Sequence, residues 1–215
     1  MDFTTDIHSH ILFGIDDGAR DLEESIGMLK TAKKAGLETI VATPHFRSSR
    51  FPADIAQNHL AKVREQAEPL GIMILMGYEV HVNALADIGI ENANQYCTEN
   101  SHNLLLEFSY NTPPPHEERL ISMMQRQGIQ VIIAHPERYQ VVQKDLARAK
   151  YWVDMGCELQ LDALCLLQGR FSKERKCAEK LLQNDLIQHV ASDAHSIADY
   201  EDYLKALEKF PRSSK

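Results

Sequence analysis

The chain has 215 residues, 44% hydrophobic and 25% charged, with 31 acidic against 23 basic side chains and a formal net charge of −8. That length allows one domain with a full apolar core, and the acidic balance opposes the phosphate neutralisation that nonspecific nucleic-acid binding needs. No apolar stretch approaches the roughly 18 residues that span a bilayer, and Asp2 and Asp6 bracket an apolar patch too short for a signal peptide. The expectation is a cytoplasmic protein with no nucleic-acid partner and no membrane insertion.

In chain order, residues 3–7 read as a first strand, followed at once by His8 and His10. Past a strand end both imidazoles can turn toward one ion, and neutral imidazole is a common metal ligand. A loop over 13–18, rich in turn formers, carries Asp16 and Asp17. Asp21 and Glu24 then make a capping-box-like start to a helix that Gly36 stops. Residues 38–43 are β-branched and apolar, a buried parallel strand ending in Pro44-His45, and the polar segment after it holds Arg47 and Arg50. Helical spacing over 54–70 ends at Pro69 and Gly71, and a third strand over 72–76 leads to Glu79.

Residues 83–100 are irregular, with room for a short helix or two. A fourth strand over 103–106 ends in Glu107, and the prolines at 113–115 make a stiff loop before a helix that stops at Gly128. Strand five, 129–134, ends at His135; a helix over 145–155 precedes strand six, 158–161, and Asp162. Ser172 caps a helix to 182, strand seven covers 187–192 and runs into Asp193-Ala194-His195, and an amphipathic helix over 200–210 precedes a polar tail.

Strand followed by helix, repeated about seven times, argues for a parallel sheet with helical crossovers. In closed (β/α) barrels function gathers at the carboxyl ends of the strands. His8, His45, Glu79, Glu107, His135 and Asp193 all lie one to three residues past an apolar run. Singly, each has a bland reading: a histidine there is more often a hydrogen-bonded loop residue, and a glutamate a cap or a salt bridge. Together in one cleft they would repel or go unsatisfied without a cation. Nitrogen and oxygen ligands without cysteine suit Zn²⁺, Mn²⁺ or Fe²⁺, and their number exceeds what one tetrahedral ion takes. The expectation is a cluster of two or more ions with a bridging carboxylate. His59, His81, His102, His116 and His189 are left outside it, as is Asp162. Arg138, three residues beyond His135, can reach over the same cleft and suits a phosphoryl group.

In that order, His8-Ser9-His10, Thr43-Pro44-His45, Glu79, Glu107, His135 and Asp193-Ala194-His195 resemble the ligand pattern of the PHP (polymerase and histidinol phosphatase) superfamily. The phrases Asp6 to Ile11, Asp16-Asp17-Gly18, Ile133 to Tyr139 and Ala191 to His195 are similar to those of the bacterial CpsB/YwqE-type protein-tyrosine phosphatases. The resemblance implies a single domain over 1–215, a distorted seven-stranded (β/α) TIM-like barrel, and a cluster of three divalent ions with manganese preferred, iron or zinc being alternatives. Carried over by position, His8, His10, Glu79 and Asp193 hold one ion. Glu79 bridges to a second held with Glu107 and His135. A third takes His45, His195 and one aspartate of the pair, Asp17 favoured and Asp16 open. Some relatives carry a second arginine soon after the DxH motif; residues 196–202 hold none, which leaves Arg47 or Arg50 as substitutes beside Arg138, or no second arginine needed. Relatives usually continue with another helical segment past the position of Phe210.

The implied activity is metal-dependent hydrolysis of phosphotyrosine on protein, specifically the tail of a bacterial tyrosine autokinase that controls capsule or exopolysaccharide synthesis. A phosphatase for histidinol phosphate or another small phosphomonoester is the alternative, and a non-catalytic module stabilised by metal is the least favoured reading. Metal-activated water is the expected nucleophile, Arg138 and one ion the expected partners of the phosphoryl oxygens, and His45 or His195 the expected proton donors to the leaving group. Cys97, Cys157, Cys165 and Cys177 show neither CxxC spacing nor the Cys-x5-Arg of thiol phosphatases; Cys165 comes nearest, with Arg170 one residue short. Cys165→Ser is therefore expected to leave the rate of phosphotyrosine-peptide hydrolysis intact and His135→Ala to abolish it, and the reverse result overturns a metal mechanism.

Overall fold

The computed structural model describes residues 3–111 and 116–209, so the expected loop at the proline triplet and the expected helix limit at Phe210 lie outside the described residues. Strands β1 (Thr5–Ser9), β2 (Thr39–Ala42) and β4 (Met73–Met76) form one sheet. A second follows the order β3 (His45–Phe46), β5 (Glu79–His81), β6 (Asn103–Glu107), β7 (Gln130–Ala134), β8 (Glu158–Asp162) and β9 (His189–Ala191). Every pairing is parallel. The result is an α/β fold, with helices α1 (Leu22–Lys34), α2 (Ala53–Ala67), α3 (Ala84–Ile88), α4 (Glu117–Gln125), α5 (Gln140–Lys144), α6 (Ala147–Asp154), α7 (Lys173–Gln183) and α8 (Ile197–Leu207) between the strands.

Two of the expected strands are each broken in two. Pro44 has no N–H to give a ladder, so β2 stops before it and β3 resumes after it. Gly77 separates β4 from β5 at a crowded point: a Cβ there would lie 2.8 Å from Val41 Cγ1, which only glycine avoids. Across the breaks the Gly77 N–H still donates to Ala42 O at 2.8 Å and the Glu79 N–H to Pro44 O at 3.2 Å, so the two sheets run into one another. At the other side, the Asp193 N–H donates to His8 O and the His10 N–H to Ala194 O, each at 2.9 Å, tying the end of β1 to the end of β9.

The strands are buried on both faces, as parallel strands under helices must be. Leu104, Leu106, Val131 and Ile133 join the main apolar cluster under the helices, with Phe108, Trp152 and Tyr139, whereas Leu105, Ile132 and Ala134 form a smaller cluster with Ile7 on the opposite face. The α1 start is half of a capping box. Asp21 Oδ1 accepts the Glu24 N–H at 2.9 Å, but the Glu24 carboxylate turns outward to Arg20. Helix α8 begins three residues earlier than its apolar spacing implies, because Ser196 caps it by accepting the Asp199 N–H. Helix α5 is too short to show periodicity and was not anticipated.

Asp6 is fully buried, and its carboxylate holds the β1–β9 junction from beneath. Oδ1 accepts the Ser192 N–H at 3.0 Å; Oδ2 accepts the Ser192 hydroxyl at 2.6 Å and the Tyr200 hydroxyl at 2.9 Å. Asp6→Ala strands buried donors that no water can reach, so a loss of about 2–4 kcal/mol in unfolding free energy is expected. Urea denaturation measures it, and a change below about 1 kcal/mol would contradict the assignment.

Candidate metal centre

The strand ends deliver their polar residues to one mouth of the sheets. His8 lies in β1, His10 follows it, His45 opens β3, Glu79 opens β5, Glu107 closes β6, and His135 and Asp193 sit just past β7 and β9. Two of these positions leave the strand abruptly: His135 and Asp193 have φ of 33° and 48°, in the left-handed region that a side chain other than glycine rarely occupies. That turn swings each side chain back over the strand ends.

Glu79 is at the centre. Its Oε1 lies 2.7 Å from His135 Nε2, and its Oε2 lies 2.6 Å from His45 Nδ1 and 3.6 Å from Nε2 of both His8 and His10. Asp193 Oδ1 lies 3.1 Å from His8 Nε2 and 3.2 Å from His10 Nε2. Further out, Asp17 Oδ1 is 3.3 Å from His45 Nε2 and 3.6 Å from His195 Nε2, while the His10 and His195 rings stack at 4.0 Å. Three groups have ligand atoms close enough to share an ion: His8, His10 and Asp193; His45, Glu79 and Glu107; and His10, Asp17, His45 and His195.

The orphaned atoms fit cations. Glu79 Oε2, Glu107 Oε2, Asp193 Oδ1 and His45 Nδ1 are buried without a hydrogen-bond partner of good geometry. Buried carboxylate oxygens left this way are costly unless a positive charge meets them. The outer nitrogens are already engaged. His8 Nδ1 is 2.9 Å from Gln160 Oε1, His10 Nδ1 is 2.7 Å from Asp16 Oδ2, and His195 Nδ1 is 2.8 Å from Asp193 O. Each contact suits a ring proton on Nδ1, so that a neutral ring presents Nε2 inward, the arrangement metal-binding histidines use.

Of the aspartate pair, Asp17 joins a ligand group and Asp16 does not. Both Asp16 oxygens are occupied, Oδ2 by His10 Nδ1 and the His45 N–H and Oδ1 by the Gly18 N–H, so Asp16 orients two histidines instead of offering an atom. Gly18 makes this possible: a Cβ there would fall 2.1 Å from His10 O. Arg138 stands at the lip with Nη2 2.7 Å from Asp162 Oδ2 and 2.6 Å from Asp193 Oδ2. Arg47 reaches the site, its Nη2 3.0 Å from His45 Nε2. Arg50 does not: among the described residues its contact is a backbone one to Ser48.

Three contributors were not singled out from sequence: Gln160, Asp6 and the lip residue Tyr110, whose ring meets His135 edge-on at 5.7 Å. Asp162 ends a strand as expected but serves Arg138. His59 and His189 pair elsewhere, with Phe13 O and Glu158. His81 sits beside Ser109 on the rim.

Charge is strongly redistributed in this cluster. Burial disfavours a charged His8, yet Asp193 and Glu79 outweigh it and carry its pKa up to about 9; His10 is raised by Asp16 and Asp193 in the same way. Glu79 and Asp193 are held well below the carboxylate range against burial, first by His8. Burial, then the neighbouring Glu79 charge, pushes Glu107 up to about 7. Burial lowers His135, with Arg138 adding to it.

The chain belongs to the CpsB/CapC family of capsular polysaccharide synthesis, whose profile matches residues 4–210. CapC of Staphylococcus aureus is 34% identical over 207 residues, 94% of this chain and 81% of that protein. Tyrosine-protein phosphatase CpsB of Streptococcus pneumoniae is 33% identical over 210 residues, covering 93% and 86%. Crystal structures of YwqE from Bacillus subtilis and CpsB from Streptococcus pneumoniae, described as unique metal-dependent tyrosine phosphatases, include a chain that superposes with a TM-score of 0.83. It is 27% identical, across 98% of this chain and 88% of that one. No helix among the described residues is long and apolar enough to cross a membrane.

A metal ion can bind His8 only after its proton leaves. Because that pKa lies above its usual 6.5, the proton is held through neutral pH and lost toward about 9, so Mn²⁺ affinity is expected to rise with pH across that window. Calorimetric titration in buffers of different ionisation enthalpy should show proton release on binding. Affinity that is flat in pH, with no protons released, would contradict this charge pattern.

Proposed function

We propose that the chain is a metal-dependent protein-tyrosine phosphatase, and the observation that carries this reading is the meeting of three candidate ligand groups, linked through the shared His10 and His45, with buried carboxylate oxygens unpaired. In this reading His8, His10, Glu79 and Asp193 hold one ion, Glu79, Glu107 and His135 a second, and Asp17, His45 and His195 a third, with manganese preferred. When bound, the ions supply Lewis-acid polarisation of the phosphoryl group and a lowered pKa for the attacking water.

The residues do the rest. The water oxygen bonds to phosphorus as the phosphorus–phenolate bond breaks; one water proton stays on the released phosphate and the other neutralises the phenolate, which leaves without strong acid help because its pKa is about 10. Arg138 has five N–H donors. Nη2 is anchored to Asp162 and Asp193, which sets the plane of the guanidinium and leaves other donors for the phosphoryl oxygens as charge builds. Arg47, beside His45, is the second cation at the lip. His45 and His195 face Asp17 through Nε2, so they serve as ligands in preference to proton donors.

The finer architecture follows the same reading: a single domain built as a distorted seven-stranded (β/α) TIM-like barrel. Its support is the hydrogen-bonded order. Taking β2 with β3 and β4 with β5 as one bent strand each, pairing passes from β1 through both to β6, β7, β8 and β9, and returns to β1 at the Ser9–Ala194 bridge. The family's tie to capsular polysaccharide synthesis supports a cytoplasmic role on the tail of a bacterial tyrosine autokinase.

Chelation is expected to abolish hydrolysis of a phosphotyrosine peptide with the circular dichroism spectrum retained, and Mn²⁺ to restore it; histidinol phosphate should be a poor substrate. Arg138→Ala should lower kcat/KM about 100-fold. Full activity after chelation, or a preference for histidinol phosphate, would overturn the reading.

A further inference from the structure

Beside the candidate centre lies a groove of about 660 Å³, with Arg138 and Tyr110 at one end and Lys144 of α5 and Lys173, Lys176 and Lys180 of α7 along it. Helix α7 packs on α5 and on the 3-10 turn Pro136–Arg138, so the groove opens directly from the lip. All four lysines are exposed, and among the described residues none has a carboxylate within salt-bridge distance. Glu174 is the one carboxylate in the lining; it accepts from the neutral Gln168 Nε2 at 2.6 Å and keeps its charge. In a chain of net charge −8, four lysines against one carboxylate in a single groove are a local excess that a ligand of opposite sign explains.

We propose that this groove docks an acidic stretch of the substrate polypeptide, Asp or Glu residues flanking the phosphotyrosine; the proposal rests on the phosphatase reading above. Arg138 belongs to both places. Its Nη2 holds Asp193 at the centre, and its side chain lines the groove. A polypeptide whose phosphoryl group meets Arg138 therefore has its neighbouring residues laid along α7. The choice of carboxylates over a second phosphoryl group follows from the donors. Apart from Arg138 the groove offers flexible point charges and no guanidinium fork, which suits several carboxylates in loose register better than one tetrahedral dianion. The apolar floor, Val142, Leu146 and the buried Cys177, gives the aliphatic stems of such a segment a surface to lie on.

The test uses the Mn²⁺-loaded full chain and the triple variant Lys173→Glu, Lys176→Glu, Lys180→Glu, with four probes. These are a small aryl phosphate, a phosphotyrosine peptide with acidic flanks, the same peptide with the acids changed to Gln and Asn, and the unphosphorylated acidic peptide carrying a fluorophore. The expected result is a loss of about tenfold in kcat/KM on the acidic peptide through KM, reduced in high salt, with aryl phosphate and neutral peptide unchanged. Anisotropy should show the fluorescent acidic peptide binding the parent chain and not the variant. Equal use of acidic and neutral peptides by the parent chain, an equal loss on the aryl phosphate, or unchanged peptide binding by the variant would each overturn the groove. So would a doubly phosphorylated, otherwise neutral peptide outcompeting the acidic one. Absence of turnover on every phosphotyrosine probe would instead overturn the phosphatase reading, and the anisotropy arm would still decide the groove.

Discussion

The joint between the first and last strands is what the candidate site depends on. Two backbone hydrogen bonds, Asp193 N–H to His8 O and His10 N–H to Ala194 O, bring together residues more than 180 positions apart in the chain. Beneath them Asp6 accepts from Ser192 and Tyr200, so α8 is fastened to the same seam as the strand ends. His8, His10, Asp193 and His195 all stand on this joint. If it opened, the candidate ligand atoms would separate too far to share an ion, however well each strand were formed.

The joint concentrates groups that oppose one another. Glu79 lies within reach of His8, His10, His45 and His135, Asp193 of His8 and His10, and Glu107 of His135, while Arg138 on Asp193 and the raised pKa of His8 and His10 offset part of the negative charge. Such a cluster costs stability that the apolar layers on both strand faces must offset. The outer contacts, Gln160 on His8 and Asp16 on His10, keep the rings from turning to relieve the crowding by other means. Function and strain sit together here, as the left-handed backbone at His135 and Asp193 also shows.

Much of this was legible in the residues. Apolar runs ending in His, Glu or Asp gave the alternation and the strand ends, because a parallel strand buried on both faces has little freedom of composition. The breaks inside two strands were not legible: Pro44 marks one, but the Gly77 break arises from a tertiary contact with Val41. The choice between Asp16 and Asp17 could not be made from adjacency. What sets the two apart is a tertiary contact: Gly18 lets the loop press on His10, and the Asp16 oxygens accept from His10 and Gly18 while Asp17 stays with the candidate ligand group. Gln160 and Asp6 looked like ordinary strand residues, since nothing local says that a polar side chain will be wholly enclosed. Arg138 was read as a phosphoryl contact, but its double anchor to Asp162 and Asp193 depends on two other strand ends.

The cysteines have a consequence of their own. Cys157 and Cys177 are buried, with thiols pushed up to about 12, Cys165 is driven higher still, and half-covered Cys97 is raised to about 11. Peroxide attacks the thiolate, and at neutral pH this chain presents almost none. Oxidative bursts that silence phosphatases built on a reactive sulfur would find no such handle here, so the proposed activity would persist when thiol-dependent signalling has stopped.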